Sequence, residues 1–414
     1  MVALIGFRNL IDLIRMIDFS DTTRSLKSCD VLLFCHDVDR SITLGDKAYS
    51  ALLDSVKDGL EFNGLSCISV AHPWSKLTGR KGYGAPVSMN GSYFFSLIAN
   101  KIFKAFGLKL NINPYIRIIE KAKPKAIITV GCNDELCEAA RKLDVFHAEL
   151  LHGIGYAFVP WGWGKKETRY LPQVIISLDA VSTKTFSALQ QKGIVLKQVA
   201  HPFLKRFVES DLPIEWKLDS NKNNKKEILV TLQWGHAPDI EGLDPGRVEL
   251  PNGLFYTELE EVVRKTRELI FWRFRFHPVQ YRQKEKYRKL FDFMDDFVRS
   301  NSNCEWEEST YKPLPSVLLR CDGHITMTSM ASYEAAYFGV QTIALCPTLR
   351  GDGLHAGYFE DLVESKYLSK IEVDVNRIHM WALGVNKKNP MIKDFFQSDD
   401  ASTWIVSKVT ASNC

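Results

Sequence analysis

Short apolar runs alternate with stretches of helical periodicity along almost the whole chain. Val31-Leu-Leu-Phe34, Leu65 to Val70, Ala126 to Val130, Ala148 to Leu151 and Val174 to Ser177 read as buried strands. Ser50 to Leu60, Tyr93 to Phe106 and Asn133 to Arg141 lie among them with helix-like spacing. Strands that alternate with helices build a parallel, doubly wound sheet, because a parallel connection needs a crossover helix. A polar stretch over 209–226 interrupts the pattern, which then restarts at Glu227-Ile-Leu-Val-Thr-Leu232. It continues through Phe271 to Phe276, a helix from Gln283 to Val298, the strand–turn–helix of 323–338 and the strand 340–345.

The reading is therefore an α/β chain of two tandem Rossmann-like domains with an interdomain cleft. Its parts are 1–208, a linker at 209–226, 227–389, and a C-terminal helix in 390–414 that packs back on the first domain. The 414 residues are enough for two cores. Residues 1–20 read as an amphipathic helix, too broken by charge for a signal peptide, and no apolar run is long enough to span a bilayer. The nine cysteines are odd in number and contain no CxxC pair, which points to reduced thiols in a cytoplasmic protein and to no zinc site. A net charge of +4 is too mild for nucleic acid as the main partner.

In open α/β sheets, ligands bind beyond the carboxyl ends of the strands, so residues just after each apolar run carry the chemistry. His277-Pro278 ends the run Phe271 to Phe276, where proline stops the ladder and presents the imidazole. Thr328, Ser329 and Ser332 open a helix, where backbone N–H groups and hydroxyls favour an anion. Glu334 stands just inside that helix, placed for a ribose. Gln233-Trp-Gly235-His236 follows the first strand of the second half, as a glycine turn that approaches a diphosphate. In the first half, His152-Gly153 and Tyr156 follow a strand, and Asp37 and Asp39 follow another; each of these polar groups is a candidate base or acceptor contact. Lys76 and Arg80 lie in a loop rich in glycine and basic residues, suited to an anionic acceptor. No GxGxxG, GxxxxGK[ST] or GxSxG motif occurs, which argues against dehydrogenase, kinase and hydrolase readings.

These parts, in this order, resemble the GT-B glycosyltransferases. His277-Pro278 and the turn 328–332 look like the HP and SS motifs of bacterial sialyltransferases and related capsule enzymes, which hold the phosphate and ribose of a CMP-sugar. His152-Gly153 with His277-Pro278 is also similar to the paired histidines of CDP-glycerol glycerophosphotransferases. The run Glu149 to Tyr156, with Leu171-Pro172 beyond it, resembles bacterial polysaccharide-biosynthesis proteins of GT-B type. The resemblance implies transfer of a sugar from a nucleotide-activated donor, a CMP-sugar first, to a glycan or lipid-linked acceptor in surface-polysaccharide synthesis. A CDP-glycerol-type polyol-phosphate transferase or a nucleotide-sugar 2-epimerase is the alternative. Donor contacts would be Thr328, Ser329, Ser332, Glu334, Gly235, His236 and Pro278. The chemistry would fall to His277, His152, Asp37 and Asp39, and acceptor contacts to Gly153, Tyr156, Lys76 and Arg80. No metal or cofactor is implied, and the inner face of a membrane is a further expected contact.

Overall fold

A computed structural model describes residues 19–108, 112–209, 212–219, 225–242, 248–390 and 400–411. The expected helix over 1–20 thus falls almost wholly outside the described residues, as do parts of the polar stretch 209–226. The chain divides into two compact units, Met1–Phe203 with Ser398–Cys414, and Leu204–Gln397.

The first unit is built on β1 (Val31–Cys35), a small hairpin of β2 (Ile42–Leu44) and β3 (Lys47–Tyr49), then β4 (Cys67–Ala71), β5 (Ala126–Val130), β6 (Phe146–Leu150), β7 (Val174–Ser177) and β8 (Val195–Gln198). Its six-stranded sheet has the order β4-β1-β5-β6-β7-β8, with every pairing parallel. β1 and β5 are buried throughout, which is why they read as unbroken apolar runs rather than alternating ones. Leu32, Phe34, Tyr115, Ile119 and Ile127 share one core with Leu136 and Ala140. The helix Ala401–Ala411 returns to this unit and packs on the helix Leu53–Phe62. At Gly59 the two helices lie so close that a Cβ would collide with Ser402 Oγ.

The second unit carries β9 (Lys226–Thr231), β10 (Ile270–Arg275), β11 (Cys304–Glu305), β12 (Gly323–Thr326), β13 (Gln341–Ala344) and β14 (Leu368–Lys370). These form a second parallel sheet of order β11-β10-β9-β12-β13-β14. β9 lies in the middle, so the loops after β10, β9 and β12 stand side by side along one edge. The long second-half helix begins at Arg288 and ends at Ser300, later than its periodicity suggests. β2, β3, β8, β11 and β14 are short or only partly buried, and their runs are too brief to stand out from loop sequence. Among the described residues no helix is long and apolar enough to cross a membrane, and no group of His, Cys, Asp and Glu is arranged to hold a metal ion. The eight described cysteines are all free thiols.

Candidate functional site

In the first unit a cavity of about 330 Å³ opens at the carboxyl edge of the sheet. It is bounded by His36 and Asp39 after β1, Gly131 and Cys132 after β5, and Glu149 and His152 on and after β6. Val38, Trp161, Trp163 and Lys166 complete the wall. Gly131 has φ +84°, and a Cβ there would meet the His36 ring at 2.8 Å, so only glycine lets the β5 loop lie against that imidazole. On its other side, His36 stacks on His72, with centroids 4.2 Å apart. His72 is fully buried with neither ring nitrogen hydrogen-bonded, and burial holds it neutral by driving its pKa well below the usual value. Burial also lowers the pKa of His36, against the opposing effects of Asp37 and the Gly131 backbone.

His152 sits at the surface of the cavity, 5.1 Å from Trp161 between ring centroids. Desolvation of its ring and the nearby His36 lower its pKa, which favours the neutral imidazole, the form that accepts a proton. Trp161 takes the left-handed conformation at φ +57°, unusual for a bulky residue and found where surrounding structure overrides local preference. Tyr156 packs on Trp161 and Phe186, and its hydroxyl lies near where a Cβ on Gly153 would fall. Gly153 and Tyr156 thus support the His152 loop from beside the cavity.

Glu149 carries no role in the sequence reading beyond its strand, yet it forms the cavity floor. Its carboxylate accepts from Thr129 Oγ1, from Gly131 N at 2.7 Å and from Cys132 N at 3.0 Å. Burial raises its pKa to about 8, although those three donors favour the charged form. The available signal was a carboxylate set inside an otherwise apolar strand, a placement that costs free energy unless donors surround it. The folded state holds this proton more tightly than the unfolded chain does. Its contribution to stability is therefore present at low pH and falls as pH rises from the ordinary glutamate range through about 8. Melting of wild type and Glu149→Gln, followed from acid to mildly alkaline pH, should show the wild type losing ground to the variant as pH rises. A difference that stays constant with pH would refute the assignment.

Asp37 has a different setting from Asp39. Its oxygens accept from Ser75 Oγ, from Lys76 N at 2.7 Å and from Leu77 N at 3.2 Å. It ties down the loop that follows β4 rather than facing the cavity, and Asp39 is the carboxylate on the cavity wall. The Lys76 and Arg80 side chains are exposed on that loop and do not line the cavity.

In the second unit the three adjacent loops bring the second set of candidates together. His277 caps the short helix Pro278–Arg282. Its Nδ1 accepts from Val279 N at 3.3 Å, and its backbone N–H donates to Gln280 Oε1 at 3.0 Å. An accepting Nδ1 puts the proton of the neutral ring on Nε2, so the cap fixes the tautomer. Pro278, at the first helical position, suits a helix start because it has no N–H to satisfy. Trp234 of the β9 loop lies 6.3 Å from the His277 ring, which joins the first two loops. Gln233 joins β9 to the third loop: its Nε2 donates to Thr328 Oγ1 at 3.1 Å, and its Oε1 accepts from Thr328 N.

This packing divides the hydroxyls. Thr328 is engaged by Gln233, while Ser332 is buried and donates to Ser329 O at 2.9 Å. Ser329 is only partly buried, and its Oγ accepts from Ala331 N at 3.2 Å. The helix that follows, Ala331–Tyr337, spans seven residues, so the N–H groups of its first turn matter more than any summed dipole. Glu334 is raised by burial to about 7, with Arg275 opposing the rise. Gly235 donates its N–H to Glu241, and His236 is buried with Nδ1 2.5 Å from Val248 O. Both hold the shape of the β9 loop.

No family model matches the sequence, and no curated protein does. Solved structures do match. The wall teichoic acid polymerase TagF, in a histidine-to-alanine variant, is 13% identical and aligns over 98% of this chain and 93% of that one, with a TM-score of 0.57. A histidine-to-asparagine variant of TagF gives 13%, 98%, 92% and 0.55. The same variant soaked with CDPG gives 12%, 98%, 92% and 0.54. The chain has a GT-B fold. Identity this low establishes the architecture of two Rossmann-like domains, and activity is argued separately below.

Proposed function

We propose that this GT-B chain is a transferase acting on a nucleotide-activated donor, and that the group it moves is a polyol phosphate. One observation carries the choice. The likeness to a wall teichoic acid polymerase runs nearly end to end in both chains, in a protein whose two units each carry a histidine just after a strand, His152 and His277. The resemblance of His277-Pro278 and the turn 328–332 to sialyltransferase motifs favours sugar transfer from a CMP-sugar as the second reading. Free thiols throughout the described residues accord with a cytoplasmic setting.

In this reading, the acceptor hydroxyl attacks the polyol-bearing phosphorus of a CDP-linked donor. A new P–O bond forms, the phosphoanhydride bond breaks and CMP leaves. His277 donates from Nε2 to a phosphoryl oxygen as charge develops, joined by Ser329 and the N–H groups of the turn. Glu334 holds the ribose. Thr328, Ser332, Gly235, His236 and Pro278 keep the three loops in shape. On the first unit, His152 takes the acceptor proton, with His36 and Asp39 on the same cavity wall. Trp161 gives the acceptor a flat apolar face, and Lys76 and Arg80 attract an anionic acceptor from the neighbouring loop.

A panel of CMP-, CDP-, UDP- and GDP-linked donors, offered with and without a polyol-phosphate acceptor, tests the proposal by the nucleotide released. CMP from CDP-glycerol, dependent on acceptor, is the expected result. Turnover of CMP-sugars alone would install the second reading. Conversion of a UDP-sugar without acceptor would make the chain an epimerase.

A further inference from the structure

The helix Asn90–Ala105 packs Tyr93 on the core of its unit but leaves a second apolar row outside. Its fully buried residues are Asn90, Gly91 and Ser96, all small or polar. Its large apolar residues include Phe95, Ile98 and Ile102, which are exposed, and Phe106 follows immediately after; Phe95 is 69% and Phe106 78% exposed. The spacing of three, four and four residues puts these side chains in one row along the helix. A core helix would turn that row inward.

The reason lies in how the helix is seated. Asp21 accepts from Ser92 N at 2.6 Å and from Ser92 Oγ, and Gly91 is pressed so close to Phe19 O that a Cβ would stand 3.0 Å from it. Asn90 accepts from Trp74 N at 2.7 Å and donates to Ser75 O at 2.8 Å. The small, polar first turn is therefore the docked part, and the apolar row behind it projects outward. Trp74, itself exposed, stands 6.2 Å from Phe94 and widens the apolar surface.

The carboxylates that reach this helix, Asp21 on Ser92 and Glu135 beside Tyr93, meet it at its first turn. No Asp or Glu occurs between Glu61 and Glu120, while Lys76, Arg80, Lys81, Lys101 and Lys104 all do and are exposed. Aromatic and aliphatic side chains projecting from a helix and bordered by the lysines of the same helix match a bilayer interface with anionic headgroups. The rings and aliphatic side chains enter the acyl boundary, and the ammonium groups reach back to phosphate.

We propose that the face formed by Phe95, Ile98, Ile102 and Phe106, with Lys101 and Lys104 beside it, docks this protein on the surface of an anionic phospholipid bilayer. The inference stands apart from the donor chemistry above. It is tested with the full chain by co-sedimentation with vesicles of phosphatidylcholine, with and without phosphatidylglycerol, at low and high salt. Wild type should bind only the anionic vesicles and lose binding as salt rises. The double variant F95S/F106S should partition at least about tenfold more weakly. K101E/K104E should lose the preference for anionic lipid. Both variants should melt as wild type does, because the changed side chains are exposed. The proposal is overturned if wild type fails to bind, if it binds neutral vesicles equally well, or if F95S/F106S binds unchanged. It is also overturned if wild type is a dimer that F95S/F106S splits without any vesicle binding, since the face would then serve a second copy.

Discussion

His277→Asn should lower transfer by about 10²–10⁴-fold while leaving melting unchanged. Asparagine is among the best helix N-caps, so the variant keeps an acceptor for the Val279 N–H that His277 Nδ1 now binds. What it loses is the Nε2 proton held in place by that cap. Cap and catalysis are thereby separated, which His277→Ala would not achieve. The measurement is released CMP at saturating donor, with thermal melting as the control for folding. Turnover within a few-fold of wild type would reduce His277 to a helix cap and remove the donor-side half of the proposed mechanism.

Arg273→Met should be the most destabilising single change in the second unit. The guanidinium is buried and binds Glu227 at 2.5 Å and both Glu305 and Glu308 at 2.9 Å, while Arg320 holds the other oxygen of Glu227. Burial alone would discourage its charge, but the carboxylates outweigh it and push its pKa above the usual arginine value. Removing one partner of a buried ionic cluster leaves uncompensated charge and costs about 3–5 kcal/mol. For a unit of this size that is a fall in melting temperature on the order of 10 °C. The sign with pH follows from the carboxylates left behind. Without the cation their folded pKa values rise above the unfolded ones, so the folded state binds extra protons and the deficit grows as pH rises. It should be larger at about pH 8 than at about pH 5. An equal deficit at both would show that lost packing, and not charge, is what Arg273 contributes.

The strands that stood out most plainly in the sequence are those buried on both faces. β1, β5 and β9 are continuous apolar runs because the parallel sheet covers them on each side. β11 is two residues long, and β14 has an exposed centre, so neither carries a signal separable from loop. The position of His277 was legible because proline announces the end of a strand. That of Glu149 was not, because its importance depends on Thr129, Gly131 and Cys132, which lie about twenty residues earlier and are brought beside it by strand pairing.

Pattern along the chain was enough for the two-sheet α/β architecture and for the rule that chemistry gathers after the strands, since burial on both faces leaves a local, periodic trace. Packing in three dimensions settled which polar atoms line a cavity and which are spent on holding loops. Asp37 and Asp39 are two residues apart and look alike in one dimension, yet one is spent holding the loop after β4 and the other lines a cavity. Ser329 and Ser332 differ in the same way, as do the apolar residues of Asn90–Ala105, whose outward turn is imposed by contacts with Asp21 and Ser75. A hydrogen bond or a buried face is a relation between distant segments, and a residue's type does not specify its partner.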